Sequence, residues 1–226
     1  MTSTFTTVAN TIKARKSVRA FTNQPVSLED IKDILDAARY APSGTNTQPW
    51  EVAVVQGATK RKLVAALLEK FDEGGKEKMD YHYYPESWIA PYKQRRLACG
   101  LALYSALEIK REDKERQREH WRRNFEGFDA PVLLFFSIDK ILATGSYLDY
   151  GMFLQNVSLA AVAKGLGSCA QAALANYPDV VREQLGLSED KVILCGMGLG
   201  YEDQSHPLNR YRTERESVDT FTKFYD

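Results

Sequence analysis

Ala41-Pro42-Ser43-Gly44-Thr45-Asn46-Thr47-Gln48-Pro49-Trp50 combines two prolines, a glycine and a run of hydroxyl and amide side chains. Proline fixes φ, glycine opens backbone angles barred to other residues, and Ser, Thr and Asn bond readily to nearby backbone groups. Before it, Ile31, Ile34, Leu35 and Ala38 recur at helical spacing behind Ser27 and Asp30, which are placed as a capping box. The acidic Glu29 and Asp30 suit the positive end of that helix dipole. After it, residues 50–55 alternate as a strand does. The stretch therefore reads as a shaped loop between a helix and a strand, presenting polar groups on a rigid frame. A plain connector is the simpler alternative.

Working outward toward the N-terminus, residues 7–15 form a short helical pattern that leads into Arg15-Lys16-Ser17-Val18-Arg19-Ala20-Phe21. If this piece is extended, Arg15, Ser17 and Arg19 share one face and Val18 the other. Such a polar comb suits an oxyanion or the polar edge of a heterocycle; a solvated basic turn is the alternative. Toward the C-terminus, residues 59–71 read as a helix. Residues 72–91 follow with Tyr81, Tyr83, Tyr84 and Trp88, and Tyr92 just beyond. This segment is too polar for a core and too aromatic for a linker, which suggests a cover over something flat; a packing excursion is the alternative. Residues 97–107 are apolar on all sides and predict a buried central helix. Residues 110–123 alternate in charge sign, with Glu112/Arg116 and Glu119/Arg123 at i,i+4 on a solvent-facing helix. Trp121, Phe125 and Phe128 can turn back toward the aromatic cover.

The unbroken apolar run 131–138 predicts a central strand, and 147–164 a helix closed by Gly165. Residues 168–172 predict a short strand, 179–185 a helix and 191–197 the last strand. The polar tail 203–226 carries Arg210, Arg212 and Arg215 and ends in Phe221, Phe224 and Tyr225, so it needs a surface to pack on. Interleaved helices and strands predict one domain over 1–226, an α/β or α+β sandwich around one mixed sheet.

Among the 226 residues, thirty basic and thirty acidic side chains cancel, giving no global reason to expect nucleic acid or a membrane as partner. The opening MTSTFTTVAN lacks the basic start and apolar run of a secretory signal, and the longest apolar stretch is about half of a membrane span. Three cysteines without C-x-x-C spacing fit buried thiols in a reducing cytoplasm. No P-loop, nucleophile elbow or zinc-helix motif occurs. Gly196-Met197-Gly198-Leu199-Gly200 follows a strand but has the wrong spacing for a dinucleotide fingerprint, and reads as a place of close backbone or subunit approach. Two basic clusters remain, Arg15/Arg19 and Arg210/Arg212, which make a phosphate site if the fold unites them.

The Arg15–Phe21 comb and the Ala41–Trp50 loop together resemble the two leading signatures of the FMN-dependent nitroreductase family. Gly165-Leu166-Gly167-Ser168-Cys169, the glycines 196–200 and the basic tail stand where that family's later landmarks fall. The resemblance implies an α+β fold with a mixed central sheet flanked by helices. It implies a homodimer with FMN at the subunit interface and a C-terminal arm reaching the partner, so that the two chain ends meet across a twofold axis. In that frame Arg15 holds the FMN phosphate, Ser17 reaches ribityl or pyrimidine oxygens, and Arg19 faces the flavin edge where reduction collects negative charge. Pro42, Ser43, Gly44 and Asn46 come from the other subunit and border the isoalloxazine, and Arg210 and Arg212 match phosphate-binding tail positions. Many relatives carry a Pro-x-Glu-Gly-like turn that offers a backbone N–H to flavin N5. Here Ala172-Ala173-Leu174-Ala175 stands instead, and places the donor near Ala173 or Leu174.

The implied reaction is hydride transfer from NADH or NADPH to the flavin and two-electron reduction of a nitroaromatic or quinone in ping-pong order, with no protein acid or base. Residues 72–128 would then form a helical and aromatic insertion over the flavin, with Tyr81, Tyr84, Trp121 and Phe125 lining the acceptor pocket. Reductive dehalogenation of halotyrosine-like phenols is an alternative on the same fold, with Glu77, Lys78 and Tyr81 as its lid. A non-catalytic flavin-binding protein is another.

Overall fold

The computed structural model describes residues 3–226. Four strands, β1 (Glu51–Val55), β2 (Val132–Asp139), β3 (Gly167–Gln171) and β4 (Lys191–Gly200), form one sheet in the order β1-β2-β4-β3. All three strand pairings are antiparallel. The expected mixed sheet is thus an antiparallel one; the single parallel pairing among the described residues is the isolated bridge Ser17–Ser168. Both faces of the sheet are covered, which is why 131–138 reads as unbroken apolar sequence. Along β2, Val132, Leu134, Phe136 and Ile138 enter one core, and Leu133 and Phe135 enter the other.

The first core is closed by α2 (Leu28–Ala38) and the 20-residue α6 (Thr144–Ala163). Ser27 caps α2 as expected: its Oγ accepts from Asp30 N at 2.9 Å and donates to the Asp30 carboxylate at 2.7 Å. Ile31, Ile34 and Ala38 of α2 are buried against Phe153, Val157 and Ala161 of α6. Lys164 then ties the end of α6 to Asp30 and Asp33 of α2. The second core is closed by α3 (Gly57–Asp72) and α7 (Pro178–Leu185), with Pro178 at the start of α7 and left-handed Gly186 (φ 64°) ending it.

The glycines of β4 are places of close approach. A Cβ on Gly196 would stand 2.5 Å from Leu174 Cδ1, one on Gly198 2.8 Å from the Gly127 carbonyl oxygen, and one on Gly200 2.5 Å from Pro131 Cδ. The strand's small residues thus let neighbouring loops lie directly on the sheet.

Two expectations for the middle of the chain change. The apolar run 97–107 lies mostly in α4 (Tyr92–Ala106), yet α4 contributes no buried residue, and Leu97 and Leu101 are 62% and 61% exposed. Apolarity all round a helix signals burial, but the described residues of this chain leave that surface uncovered. Around α5 (Lys114–Arg122) the expected pairs Glu112/Arg116 and Glu119/Arg123 do not form, while Arg122 and Glu126 do pair at i,i+4. Arg116 instead donates to the carbonyls of Leu107 and Glu108, and Arg123 pairs with Asp129 at 2.8 Å.

Candidate functional site

The short helix α1 (Thr4–Ala14), capped by Ser3, ends in extended backbone at Arg15. Val18 N donates to the Ser168 carbonyl at 3.0 Å, which lays the comb alongside β3. Alternation then works as expected: Val18 is buried, while Arg15, Ser17 and Arg19 are half-buried. The C-terminal region is stitched to this strip within the same chain. Asn209 is the hub: its Oδ1 accepts from Arg19 N at 2.8 Å, and its Nδ2 donates to the Ala20 carbonyl at 2.8 Å and the Asp203 carbonyl at 2.9 Å. Lys16 Nζ reaches the Asn209 carbonyl at 2.7 Å and the Glu202 carboxylate. The comb and residues 202–212 thus meet within one chain.

Arg212 extends this stitching. Its guanidinium donates to the carbonyls of Lys13, Ala14 and Arg15 at the end of α1, where the helix dipole is negative. The Arg15 guanidinium is held below its ordinary pKa by burial first, then by the nearby positive charges of Arg215 and Arg212. Arg15 Nε is buried without a hydrogen-bond partner. The Arg15 side chain lines a cavity of about 170 Å³ together with Ser17 and Ser168 and, from α6, Gly151, Gln155 and Ser158. Crowded cations, one with an orphaned buried N–H, beside a hydroxyl-lined cavity fit a phosphate group, whose charge would relieve the repulsion and fill the empty bond. Arg210 is exposed and makes no side-chain hydrogen bond or ion pair among the described residues, and of the tail arginines it is Arg215 and Arg212 whose charges act on Arg15. The tail arginines were visible in the sequence, but which of them lie near Arg15 was not.

An apolar groove of about 540 Å³ adjoins the cavity and shares Gly151 and Gln155 with it. Pro42, Tyr147, Leu148 and Met152 line the rest. Pro42 thus leads from the groove into the loop, whose Ser43, Gly44 and Asn46 form or flank a 3-10 turn (Gly44–Asn46). Ala173 and Leu174 lie buried in the 3-10 turn Ala172–Ala175 directly after β3.

The aromatic cover divides. Residues 75–81 are sewn to the protein's own body. Arg182, buried, holds Asp80 with two bonds of 2.7 and 3.0 Å, and Asp80 also accepts from Ile193 N at 2.9 Å. Glu77 accepts from Asn176 Nδ2 at 2.8 Å and from Trp121 Nε1 at 3.1 Å, and the Tyr81 hydroxyl donates to the Leu194 carbonyl at 2.8 Å. Glu77 and Tyr81 are therefore engaged with structural partners, contrary to the role of a dehalogenase lid. The Tyr81 ring meets Tyr147 of the groove edge-on at 5.5 Å. Tyr84 sits outside, exposed, between Tyr83 and Trp88 with Arg96 over its ring. Phe125 is a correction: it is fully buried in the second core between Phe71 (5.1 Å) and Tyr177 (5.4 Å) and lines no pocket. Its neighbours come from α3 and the approach to α7, so its burial could not be inferred from local periodicity.

A model of the Nitroreductase family matches residues 12–201, a span that includes the comb, the loop and all four strands. The chain belongs to the nitroreductase family. It is 38% identical to a nitrobenzene nitroreductase of Ectopseudomonas oleovorans over 215 residues, 94% of each chain. Among solved structures it superposes with TM-score 0.94 on the FMN and NADPH-dependent nitroreductase NfnB from sphigopyxis sp. strain HMH, at 35% identity over 97% of this chain and 99% of that one. The FMN-dependent NfnB from Mycobacterium smegmatis in complex with NADPH gives TM-score 0.93 at 31% identity, covering 98% and 100%. As a nitroreductase the chain keeps an α+β architecture around a small antiparallel sheet. No helix among the described residues is long and apolar enough to cross a membrane, and no metal-binding cluster of His, Cys, Asp or Glu occurs among them.

Proposed function

We propose that the protein is an NAD(P)H-dependent FMN oxidoreductase that reduces nitroaromatic acceptors. The observation that carries the reading is Arg15, which lines a hydroxyl-bearing cavity near the charges of Arg212 and Arg215 and has a buried Nε without a hydrogen-bond partner. Arg15 and Arg215 hold the FMN phosphate; Arg212 supports them from behind by keeping the end of α1 in place. Ser17 serves the ribityl oxygens, and Arg19, its backbone fixed by Asn209, supplies positive charge at the pyrimidine edge. A backbone N–H at Ala173 or Leu174 meets flavin N5. When bound, FMN supplies the redox chemistry, taking hydride from NAD(P)H at N5 and returning two electrons to the acceptor. The protein needs no acid or base for that transfer, and its work is binding, orientation and exclusion of water.

The partner is a second copy of this chain. Leu97 and Leu101 on α4, Phe5, Val8 and Ile12 on α1, and Phe221, Phe224 and Tyr225 in the tail are all exposed, more apolar surface than a monomer leaves in water. The groove that begins at Pro42 takes the flat acceptor against Tyr147, with Tyr81 behind it. Relatives named for reducing nitrobenzene and 4-nitrobenzoate share 38% and 36% of the sequence, which makes these compounds the acceptors to try first.

The test is steady-state turnover with FMN added. NADPH oxidation is expected to depend on 4-nitrobenzoate or nitrobenzene and to show the parallel double-reciprocal lines of ping-pong kinetics. Arg15→Ala is expected to weaken FMN binding about ten- to a hundredfold, the loss typical of a charge-assisted bond. FMN affinity unmoved by that change, or NADPH oxidation indifferent to every nitro acceptor, contradicts the proposal.

A further inference from the structure

Asp149, in the second turn of α6, is buried, and its carboxylate Oδ2 accepts from Gly44 N at 3.1 Å. The next residue, Tyr150, is also buried, and its hydroxyl accepts from Glu51 N at 3.2 Å and donates to the Glu51 carbonyl at 2.7 Å. Adjacent side chains of one helix thus grip the loop near its start and just past its end. Between those grips the backbone is held against local preference: Thr45, Asn46 and Gln48 have φ of 49°, 59° and 47°. Left-handed angles in three non-glycine residues persist only where surrounding contacts impose them. Inside the loop, Ser43 contributes its carbonyl to Asn46 N at 3.0 Å and its Oγ to Gln48 N at 3.0 Å. The same α6 also lines the Arg15 cavity with Gly151, Gln155 and Ser158.

We infer that Asp149 is a positioning residue for the reaction: it locks the loop of residues 42–48 to α6, and so fixes where Pro42, Ser43, Gly44 and Asn46 stand relative to the flavin ring and the acceptor. The inference rests on the FMN oxidoreductase reading for its consequence in catalysis, though not for the lock itself. A hydrogen-bonded carboxylate on a rigid helix is a better constraint than solvent on a loop with three left-handed residues. Small misplacements of groups that orient a reacting partner are costly to rate.

Two measurements test it. In flavin-free protein, hydrogen exchange at the Gly44 amide is expected to be slow in wild type and in Asp149→Asn, which keeps an acceptor oxygen, and at least about tenfold faster in Asp149→Ala. In FMN-loaded protein, Asp149→Ala is expected to lower kcat/KM for 4-nitrobenzoate about ten- to a hundredfold while Asp149→Asn stays within about threefold of wild type. Asp149→Ser, too short to span to Gly44, replaces the alanine variant if that one does not fold. Gly44 exchange unchanged in the truncated variant, or Asp149→Asn as impaired as Asp149→Ala, overturns the inference. Wild type that binds no FMN sinks the functional reading instead, and the exchange result alone then decides whether the lock exists.

Discussion

Arg15 shows what a residue's surroundings add to its identity. In the sequence it is one of thirty basic side chains. In the structure it has a buried N–H without a partner and two cations beside it, and an anion is what that arrangement lacks. His120 is the converse case, a titratable group that the fold keeps neutral. It is buried beside Phe128 and Tyr104, and burial, then the charges of Arg123, Arg19 and His206, push its pKa down from 6.5 to about 4. Unfolding frees it to take up a proton between those values, so the unfolded state binds more protons there and stability rises with pH through that window. The contribution is complete above about pH 6.5 and is lost as pH falls toward 4. Urea midpoints measured at pH 4.5 and 7 are expected to differ less in His120→Gln than in wild type; equal differences would show that folding leaves the His120 pKa where it is in the unfolded chain. Arg15, Ser17 and the loop were legible from local spacing. Asp149, Asn209 and the nearness of Arg215 to Arg15 were not, because each matters through a partner about a hundred or more residues away.

Secondary elements were read well where one helix or strand carries its own signal. The Ser27 cap, the stripe of α2, the doubly buried β2 and the Gly165 end of α6 all lie within a residue or a few of their expected places. The sheet's direction was not readable, since strand pairing is decided by connections between elements and not by periodicity. The misread element is α4: its composition says buried, yet none of its residues is buried in this chain. The glycine run of β4 was correctly read as close approach. There a single methyl group should be felt, since Gly198 faces the backbone carbonyl of Gly127 and the Ala130 methyl at 3.0 Å. Gly198→Ala is expected to destabilise the fold by about 1–3 kcal/mol, the usual cost of overpacking, seen as a lower urea midpoint. An unchanged midpoint would mean that the 127–130 turn yields freely.

At the scale of the whole molecule, two cores, one on each face of the sheet, leave the polar strip along β3 and the groove on α6 facing outward beside uncovered apolar helices. In the proposed dimer, a second copy of the chain covers the exposed α4 leucines. Leu97→Glu combined with Leu101→Glu is expected to convert a sedimenting dimer into a monomer; a dimer that survives both changes would place the interface elsewhere. Whether the Arg15 cavity anchors FMN for two-electron chemistry is read directly by an anaerobic titration. Purified protein loaded with FMN and freed of excess should be yellow, lose its flavin absorbance on adding NADPH, and regain it on adding 4-nitrobenzoate. Protein that retains no flavin, or whose bound flavin is untouched by either nicotinamide coenzyme, would contradict the account.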